Sequence, residues 1–357
     1  MKFTNIFYGG FDGVNILDQD LRKLNDRATD DNSSLGKALG GSTISHLGLD
    51  SSASPGTGLD NNYISSYRTA IRILTDEMNS NINILAIPGI RNAFVTDFAA
   101  ERVKEYGKAI YLMDIPFFDG NEVRLYEKSS VLPDVRETVE VFDARSFDNN
   151  FSAAYFPDVT IRDDNNNGRH ITVPASIAAL GAIGYSDSVS YPWFAPAGFN
   201  RGSLDFVVGT NVKLTANDRD TLYEARINPI AQFSTGAIVI FGQKTLQVAK
   251  SALDRVNVRR MLLELKRQVI SVADRLLFEQ NNQSTRDRFI NLVSPRLSLI
   301  QAQQGIESFR IVMDDTNNTE LDKENNRLNG KIIIVPTRTI EFISIDFVIT
   351  NAGVSFE

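Results

Sequence analysis

Four neighbouring segments decide how this chain folds: YPWFAPAGFNRG (residues 191–202), LTANDRDTLYEARINPIAQF (214–233), GAIVIFGQKTL (236–246) and DRVNVRR (254–260). Proline fixes its own φ angle and biases the preceding residue toward an extended backbone, whereas glycine permits turns that other residues resist. Trp193 is the only tryptophan of the chain and supplies one large anchor. These features predict a run of fixed turns and short strands that leads into a basic helix, and they are not typical of an enzyme pocket.

On the amino-terminal side of these segments, helical stripes alternate with short, continuous apolar runs. The runs INILAI (82–87) and AIYLMDI (109–115) each end at a proline, as expected of buried parallel strands. A further strand is predicted at 153–161, and helices are predicted at 63–79, 94–106, 133–147 and 173–185. This alternation predicts an α/β sandwich with a mainly parallel sheet.

On the carboxyl-terminal side, the order of the predicted elements changes. A strand at 236–241 precedes the longest amphipathic pattern of the chain, residues 254–279. A second helical stretch begins near Ser284, and Pro295 after the cap-like Ser294 predicts that a new helix starts there. Later strands are predicted at 308–313, 331–335 and 340–350. These elements predict a smaller α+β domain.

Length and composition agree with a globular protein of more than one domain. The chain has 357 residues, of which 42% are apolar and 23% charged. We predict an irregular, loop-rich entry segment at 1–60, an α/β scaffold domain at 61–232 and a C-terminal α+β domain at 233–357. The net charge of −7 argues against direct binding of nucleic acid, and no apolar run approaches the roughly 18 residues that span a bilayer. The lack of cysteine excludes disulfides and thiolate metal sites.

Motifs that would carry chemistry are weak in this sequence. The run RDDNNNG (162–168) resembles half of a calcium-binding loop, but Pro174 stands where the bidentate glutamate is needed, so a solvated turn is predicted. His46 and His170 have no nucleophile or metal-binding motif beside them. The turns after the predicted strands, such as PGIR (88–91), lack the glycine spacing that admits a phosphate. We predict no catalytic residue, no metal and no cofactor, with a hydrolase on the α/β domain as the competing class.

The segments quoted first resemble the central motifs of contractile tail sheath proteins. In that family an "aPAG…rG" segment precedes "iNpI", a "GqkTl"-type strand and an "rvNvRR" helix, and this chain has APAG (195–198), INPI (227–230), GQKT (242–245) and RVNVRR (255–260). Phe241 stands where the family usually has tryptophan. The resemblance implies a scaffold domain of subtilisin-like shape. It identifies as structural signature residues Trp193, Pro196, Gly198, Arg201, Asn228, Gly242, Thr245 and Asn257.

The resemblance also implies a structural function. Copies would polymerise as stacked rings around an inner tail tube and contract by rigid-body rearrangement, which drives the tube through the host envelope. The implied partners are further copies of the chain, the tube protein, and baseplate and tail terminator proteins, with assembly in the host cytoplasm and a final place in the virion.

An adaptor at the tail terminus or baseplate is the alternative function. Phage tail, bacteriocin-like particle and secretion system stay open. Since the family's GGxDG-like element stands at 9–13, we expect a trimmed or minimal sheath subunit.

Two sets of residues are predicted to touch neighbouring copies. The first set is basic: Arg255, Arg259, Arg260, Lys266 and Arg267. Complementary charges fix the register of an interface, although a solvated helix face would show the same pattern. The second set alternates in the last segment: Ile343, Ile345, Phe347 and Ile349. Such a strand completes its own sheet or adds to the edge of a neighbour's sheet, and the resemblance favours the second arrangement.

Overall fold

The structure, a computed structural model, describes residues 62–125, 131–314 and 317–341; the predicted entry segment at 1–60 lies outside these ranges. The helices are α1 Asn62–Leu74, α2 Ala93–Tyr106, α3 Val135–Ala144, α4 Ala175–Val189, α5 Gly198–Arg201, α6 Ala216–Glu224, α7 Val256–Ala273, α8 Gln283–Ala302 and α9 Glu320–Glu324. The strands are β1 Ile84–Ala86, β2 Ile110–Asp114, β3 Phe117–Phe118, β4 Arg124–Leu125, β5 Ser152–Phe156, β6 Val159–Asp163, β7 Arg169–Val173, β8 Val207–Thr210, β9 Ile227–Gln232, β10 Ile238–Ile240, β11 Ile306–Val312 and β12 Lys331–Pro336. None of these helices is both long and apolar enough to span a membrane.

A five-stranded sheet in the order β1-β2-β5-β9-β10 forms the centre of the α/β part. Its first four strands are parallel, and β10 is antiparallel to β9. Side chains of β2 alternate between two cores: Tyr111 and Met113 face α1, α2, α3 and α6, whereas Ile110 and Leu112 face α4 and α7. Both faces of the strand are therefore covered, which explains its continuous apolar run and confirms the predicted parallel α/β arrangement.

The predicted strand at 153–161 is wrong in one respect, because two strands occupy this stretch. β5 ends at Phe156 and pairs in the large sheet, whereas β6 begins at Val159 and pairs with β7 and β8 in a separate antiparallel sheet. Pro157 stands between them, and a proline has no N–H to donate to a continuing ladder. The turn between β6 and β7 carries the 3-10 segment Asp164–Asn166, which confirms the predicted turn in RDDNNNG.

The helix predicted to start at Pro295 is also wrong, since α8 runs through that position without a break. Its buried apolar residues recur every three or four positions and belong to the same cluster as apolar residues of α7: Phe289, Val293, Leu297 and Ile300. Proline inside a helix removes one hydrogen bond and costs about 3 kcal/mol. The continuous packing against α7 outweighs this cost.

Helix α7 belongs to two cores at once. Val256 and Leu263 join the apolar cluster between the large sheet and α4. Met261 and Leu265 join a second cluster with α8 and the antiparallel pair β11–β12. A helix of the C-terminal part is thus also a wall of the α/β part.

The domain boundary predicted between residues 232 and 233 falls inside the β9–β10 hairpin, in which Gln232 is paired with Ile238. Strand β10 is therefore part of the large sheet. We propose that the boundary lies after this sheet, close to the start of α7.

The shared position of α7 makes its buried leucines sensitive to truncation. Leu265 is 5% exposed in the cluster that α7 forms with α8, so Leu265→Ala is expected to lower the free energy of unfolding by about 2–5 kcal/mol. Leu299 on α8 is 57% exposed, and Leu299→Ala should stay within about 0.5 kcal/mol of the wild type. Urea denaturation of the monomeric protein measures both. Equal effects of the two substitutions would contradict the assigned packing.

Candidate functional site

The signature residues converge where the large sheet meets α7, and Asn228 of β9 is central to this junction. Its side chain is fully buried. The amide Nδ2 donates to the carbonyl oxygens of Ala154 (3.0 Å) and Lys244 (2.8 Å), and Oδ1 accepts from the backbone N–H of Lys244 (2.6 Å). Because a buried amide is costly to leave unpaired, these bonds hold residues 242–245 against β5 and β9.

Gly242 allows the backbone to approach Asn228 closely. A Cβ atom at this position would lie 3.0 Å from Pro229 Cδ, 3.1 Å from Asn228 Oδ1 and 3.1 Å from Tyr223 Cδ2. Thr245, three residues later, is also fully buried, and its hydroxyl donates to the carbonyl oxygen of Leu253 (3.0 Å). These positions therefore fix the path of the chain from β10 toward α7.

Trp193 connects the beginning of the signature with the C-terminal core. Its indole N–H donates to the carbonyl oxygen of Gln303 (2.9 Å), and its ring stacks on Tyr191 with centroids 4.9 Å apart. The Trp193 carbonyl accepts from Nδ2 of Asn257 on α7 (3.1 Å). The ring belongs to the buried cluster of α7 and α8, so Trp193 packs as a large side chain in the C-terminal core.

The next signature residues form a turn that is closed by its own contacts. Pro196 is buried, and Gly198 has φ +78°, a left-handed value that favours glycine. Nε of Arg201 donates to the carbonyl oxygen of Ala195 (3.2 Å), and its guanidinium lies 4.9 Å from the ring centroid of Phe194. All eight signature residues thus contribute to the internal architecture of the chain.

The basic residues of α7 do not form one exposed patch, since Arg259 and Arg260 are each only 7% exposed. Nε of Arg259 donates to the carbonyl oxygen of Asn150 (3.0 Å), its guanidinium lies 4.0 Å from the Phe151 ring centroid, and burial lowers its pKa to about 10. Arg260 forms an ion pair with Asp187 of α4. Both arginines therefore hold α7 against the α/β part.

Two of the remaining basic residues bind the loop after α2. Nζ of the exposed Lys266 donates to the carbonyl oxygen of Gly107 (3.0 Å), and Arg267 pairs with Glu264 (2.6 Å) while donating to the carbonyl oxygen of Lys108 (3.3 Å). A role of the basic residues in contacts between copies stays a prediction. Within the chain, they hold α7 in place through the contacts described above. The second predicted set lies outside the described residues: Ile343, Ile345, Phe347 and Ile349.

Sequence reasoning missed a carboxylate that binds Arg255. Nε and Nη2 of Arg255 donate to Oε1 (2.6 Å) and Oε2 (2.8 Å) of Glu341, and Oη of Tyr223 donates to Oε2 (2.8 Å). Burial alone would raise the pKa of Glu341, but the hydrogen bonds from Arg255 and Tyr223 lower it below its ordinary value. These residues lie 86 and 118 positions apart, so no local pattern marks the site.

At the carboxyl ends of the parallel strands, where α/β sheets often bind ligands, a closed polar network fills the space. The hydroxyl of the fully buried Ser176 donates to Oδ2 of Asp114 (2.7 Å), which also accepts from the N–H of Gly89 (3.0 Å). Arg91 pairs with Asp158 (2.6 Å), and burial raises the pKa of Asp114. In the described part of the chain the only imidazole, that of His170, is exposed on β7, and His46 lies outside it.

Solved structures with a similar fold come from contractile injection machines. A chain of the anti-feeding prophage baseplate matches with a TM-score of 0.62 at 18% identity, over 82% of this chain and 74% of that one. A chain of the PVC sheath complex in the contracted state matches with a TM-score of 0.61 at 20% identity, over 80% and 74%. The contracted helical sheath of the anti-feeding prophage gives 0.60 at 19% identity, over 82% and 75%. At these identities the likeness shows the fold alone.

Sequence similarity leads to the same class of protein. The chain is 38% identical to the tail sheath protein of Vibrio phage KVP40 and 35% identical to that of Enterobacteria phage T4, each over 193 residues, which is 54% of this chain and 29% of the relative. The tail sheath protein of Salmonella phage ViI is 28% identical over 193 residues, 31% of its length. No family model matches the chain. The predicted resemblance to contractile tail sheath proteins is confirmed, for a segment that spans less than a third of these relatives.

The packing at Gly242 gives a direct test of the junction. Gly242→Ala forces a methyl group against Asn228 and Pro229, so we expect a loss of about 1–3 kcal/mol in the free energy of unfolding. A methyl group at Gly184 in α4 would meet no atom outside its own helical turn within 4 Å, and Gly184→Ala should stabilise by about 0.5–1 kcal/mol. Denaturant unfolding measures both variants. A neutral Gly242→Ala would disprove the close approach.

Proposed function

We propose that this chain is the structural subunit of a contractile tail sheath, which polymerises as stacked rings around a tail tube and contracts by rigid-body rearrangement of its subunits. The observation that carries the proposal is the identity of up to 38% with phage proteins named tail sheath protein. Under this proposal the partners are further copies, the tube protein, and baseplate and terminator proteins, and the protein is part of the virion after assembly in the host cytoplasm. A subtilisin-like shape of the α/β part belongs to the same proposal.

A contracting sheath needs subunits whose parts do not shift against each other while the subunits move. The shared helix α7 supports this property, because Leu263 and Leu265 bury their side chains in different cores. The ion pair of Arg260 with Asp187 and the hydrogen bond from Asn257 to Trp193 further attach α7 to both sides. The contacts that would change during contraction are then those between subunits.

The pair β11–β12 supports a contact made by strand addition. Within the described residues this sheet has two strands, so each strand has one edge without a strand partner. Two-stranded sheets are marginal alone, and unpaired edges are templates for a further strand. On β12, Ile333 and Val335 are 43% and 45% exposed. We propose that the predicted terminal strand of one copy, which contains Ile343 and Ile345, adds to this sheet in a neighbouring copy.

A single-ring adaptor is the second candidate, favoured by the fold likeness to a chain in a baseplate structure. Electron microscopy of the purified full chain separates the two functions. The sheath proposal expects tubes with helical striations and a central channel, whereas an adaptor forms isolated rings. A protein that stays monomeric at all concentrations and salt conditions would contradict both.

Strand addition predicts that the backbone N–H groups of the terminal segment are needed for polymerisation. Ile345→Pro removes one donor and blocks a ladder hydrogen bond, so we expect loss of tubes with little change in the unfolding midpoint of the monomer. Ile345→Val keeps the donor and the β-branched side chain, and it should polymerise as the wild type does. Sedimentation and electron microscopy measure the polymer. Normal tubes from Ile345→Pro would disprove this contact.

A further inference from the structure

The carboxylate of Glu341 lies at the end of the described chain and accepts hydrogen bonds from three side chains. It accepts two hydrogen bonds from Arg255 (2.6 and 2.8 Å), one from Tyr223 (2.8 Å) and one from Nε2 of Gln243 (3.2 Å). Its side chain is 17% exposed, and that of Arg255 is 25% exposed. We call these four residues the Glu341 clamp.

The clamp joins parts of the chain that are distant in sequence. Tyr223 belongs to α6, Gln243 follows the last strand of the large sheet, and Arg255 precedes α7, whereas Glu341 follows β12 by five residues. Nε2 of Gln243 also donates to Oγ1 of Thr339 (2.6 Å). The segment that leaves the small C-terminal sheet is therefore attached to the α/β part.

The partners of the clamp are themselves fixed. Nζ of Lys244 donates to the carbonyl oxygen of Tyr223 (2.6 Å) and lies 4.0 Å from the centroid of its ring. Nη1 of Arg255 pairs with Asp254 (3.1 Å). A two-point contact between guanidinium and carboxylate is directional and roughly twice as strong as neutral hydrogen bonds. This two-point contact therefore neutralises the charge of the Glu341 carboxylate and also fixes the position of the backbone at Glu341.

We propose that Glu341 is a positioning residue for strand exchange: the clamp fixes the point from which the proposed terminal strand starts, and thereby selects the neighbouring copy that this strand reaches. This inference rests on the proposed function, because it assigns a control element to the terminal strand. A strand with a fixed origin reaches neighbours within a limited distance, since each extended residue adds at most about 3.3–3.6 Å. Release of the clamp lets the same strand start from many positions, which lowers its effective concentration at the correct edge.

Chymotrypsin cleavage of the full-length monomer tests the clamp itself. Cleavage after Phe342 requires release of the neighbouring residues 339–341. The bond after Phe347 is five residues further along the chain, so its cleavage does not require this release. Glu341→Gln removes the charge, so we expect cleavage after Phe342 to become about tenfold faster, with the rate after Phe347 unchanged. Tyr223→Phe removes one donor and should produce a smaller increase at the same bond. Mass spectrometry measures each rate separately.

Glu279→Gln is the matched control, because Glu279 forms a long, exposed pair with Arg288 (3.7 Å). It should leave both cleavage rates and polymerisation unchanged. In Glu341→Gln the critical concentration for polymerisation should rise about tenfold, as expected for a less favourably placed strand. Unchanged cleavage after Phe342 would overturn the clamp, and faster cleavage with an unchanged critical concentration would overturn its positioning role. If the wild type forms no polymer, the proposed function fails, while the cleavage rates still decide whether the clamp holds.

Discussion

The double burial of helix α7 is the constraint on which the other parts of the structure depend. Leu263 packs toward the large sheet and Leu265 toward α8, so the helix cannot move away from either core without exposing apolar surface. Its polar residues at this depth must then be paired, since an unpaired buried charge costs several kcal/mol. Arg259, Arg260 and Asn257 obtain their partners from the loop that precedes β5, from α4 and from Trp193. Of these partners, only Trp193 belongs to the signature segments.

Much of the fold could be predicted because its signals are local. The apolar run at 109–115 identifies a strand covered on both faces, and the stripe of α7 identifies a long helix. The site could not be predicted in the same way, because its partners are distant: Asn228 binds Lys244 and Ala154, and Arg255 binds Glu341, 86 positions away. Arginines on an early helical turn suggested a surface patch, yet two of them are buried. One local signal was overlooked, the capping box of Thr215 and Asp218 at the start of α6.

The proposed mechanical function is consistent with several features of the structure. The network of Asp114, Ser176 and Arg91 is buried, and its carboxylate is held by hydrogen bonds from within the chain, as expected of a scaffold. The tight turns around Gly198 and Gly242 fix the path of the backbone at the junction of the large sheet and α7. Within the described residues each strand of β11–β12 has one edge without a strand partner, which is where we propose that a neighbouring copy adds its terminal strand. Rigidity inside the subunit and capacity for strand pairing at its edge are the two properties that a contracting polymer requires.

Native-state hydrogen exchange of the monomer tests the central claim, that both cores form one rigid body through α7. If α7 couples the core around the large sheet to the core around α8, the most protected amides of β5 and of α8 exchange with the same opening free energy and the same dependence on denaturant, because neither core can open without α7. Exchange of α8 through an opening of clearly lower free energy, with β5 still protected, would show that the two cores open independently. In that case the C-terminal part would be a separate unit that moves on its own.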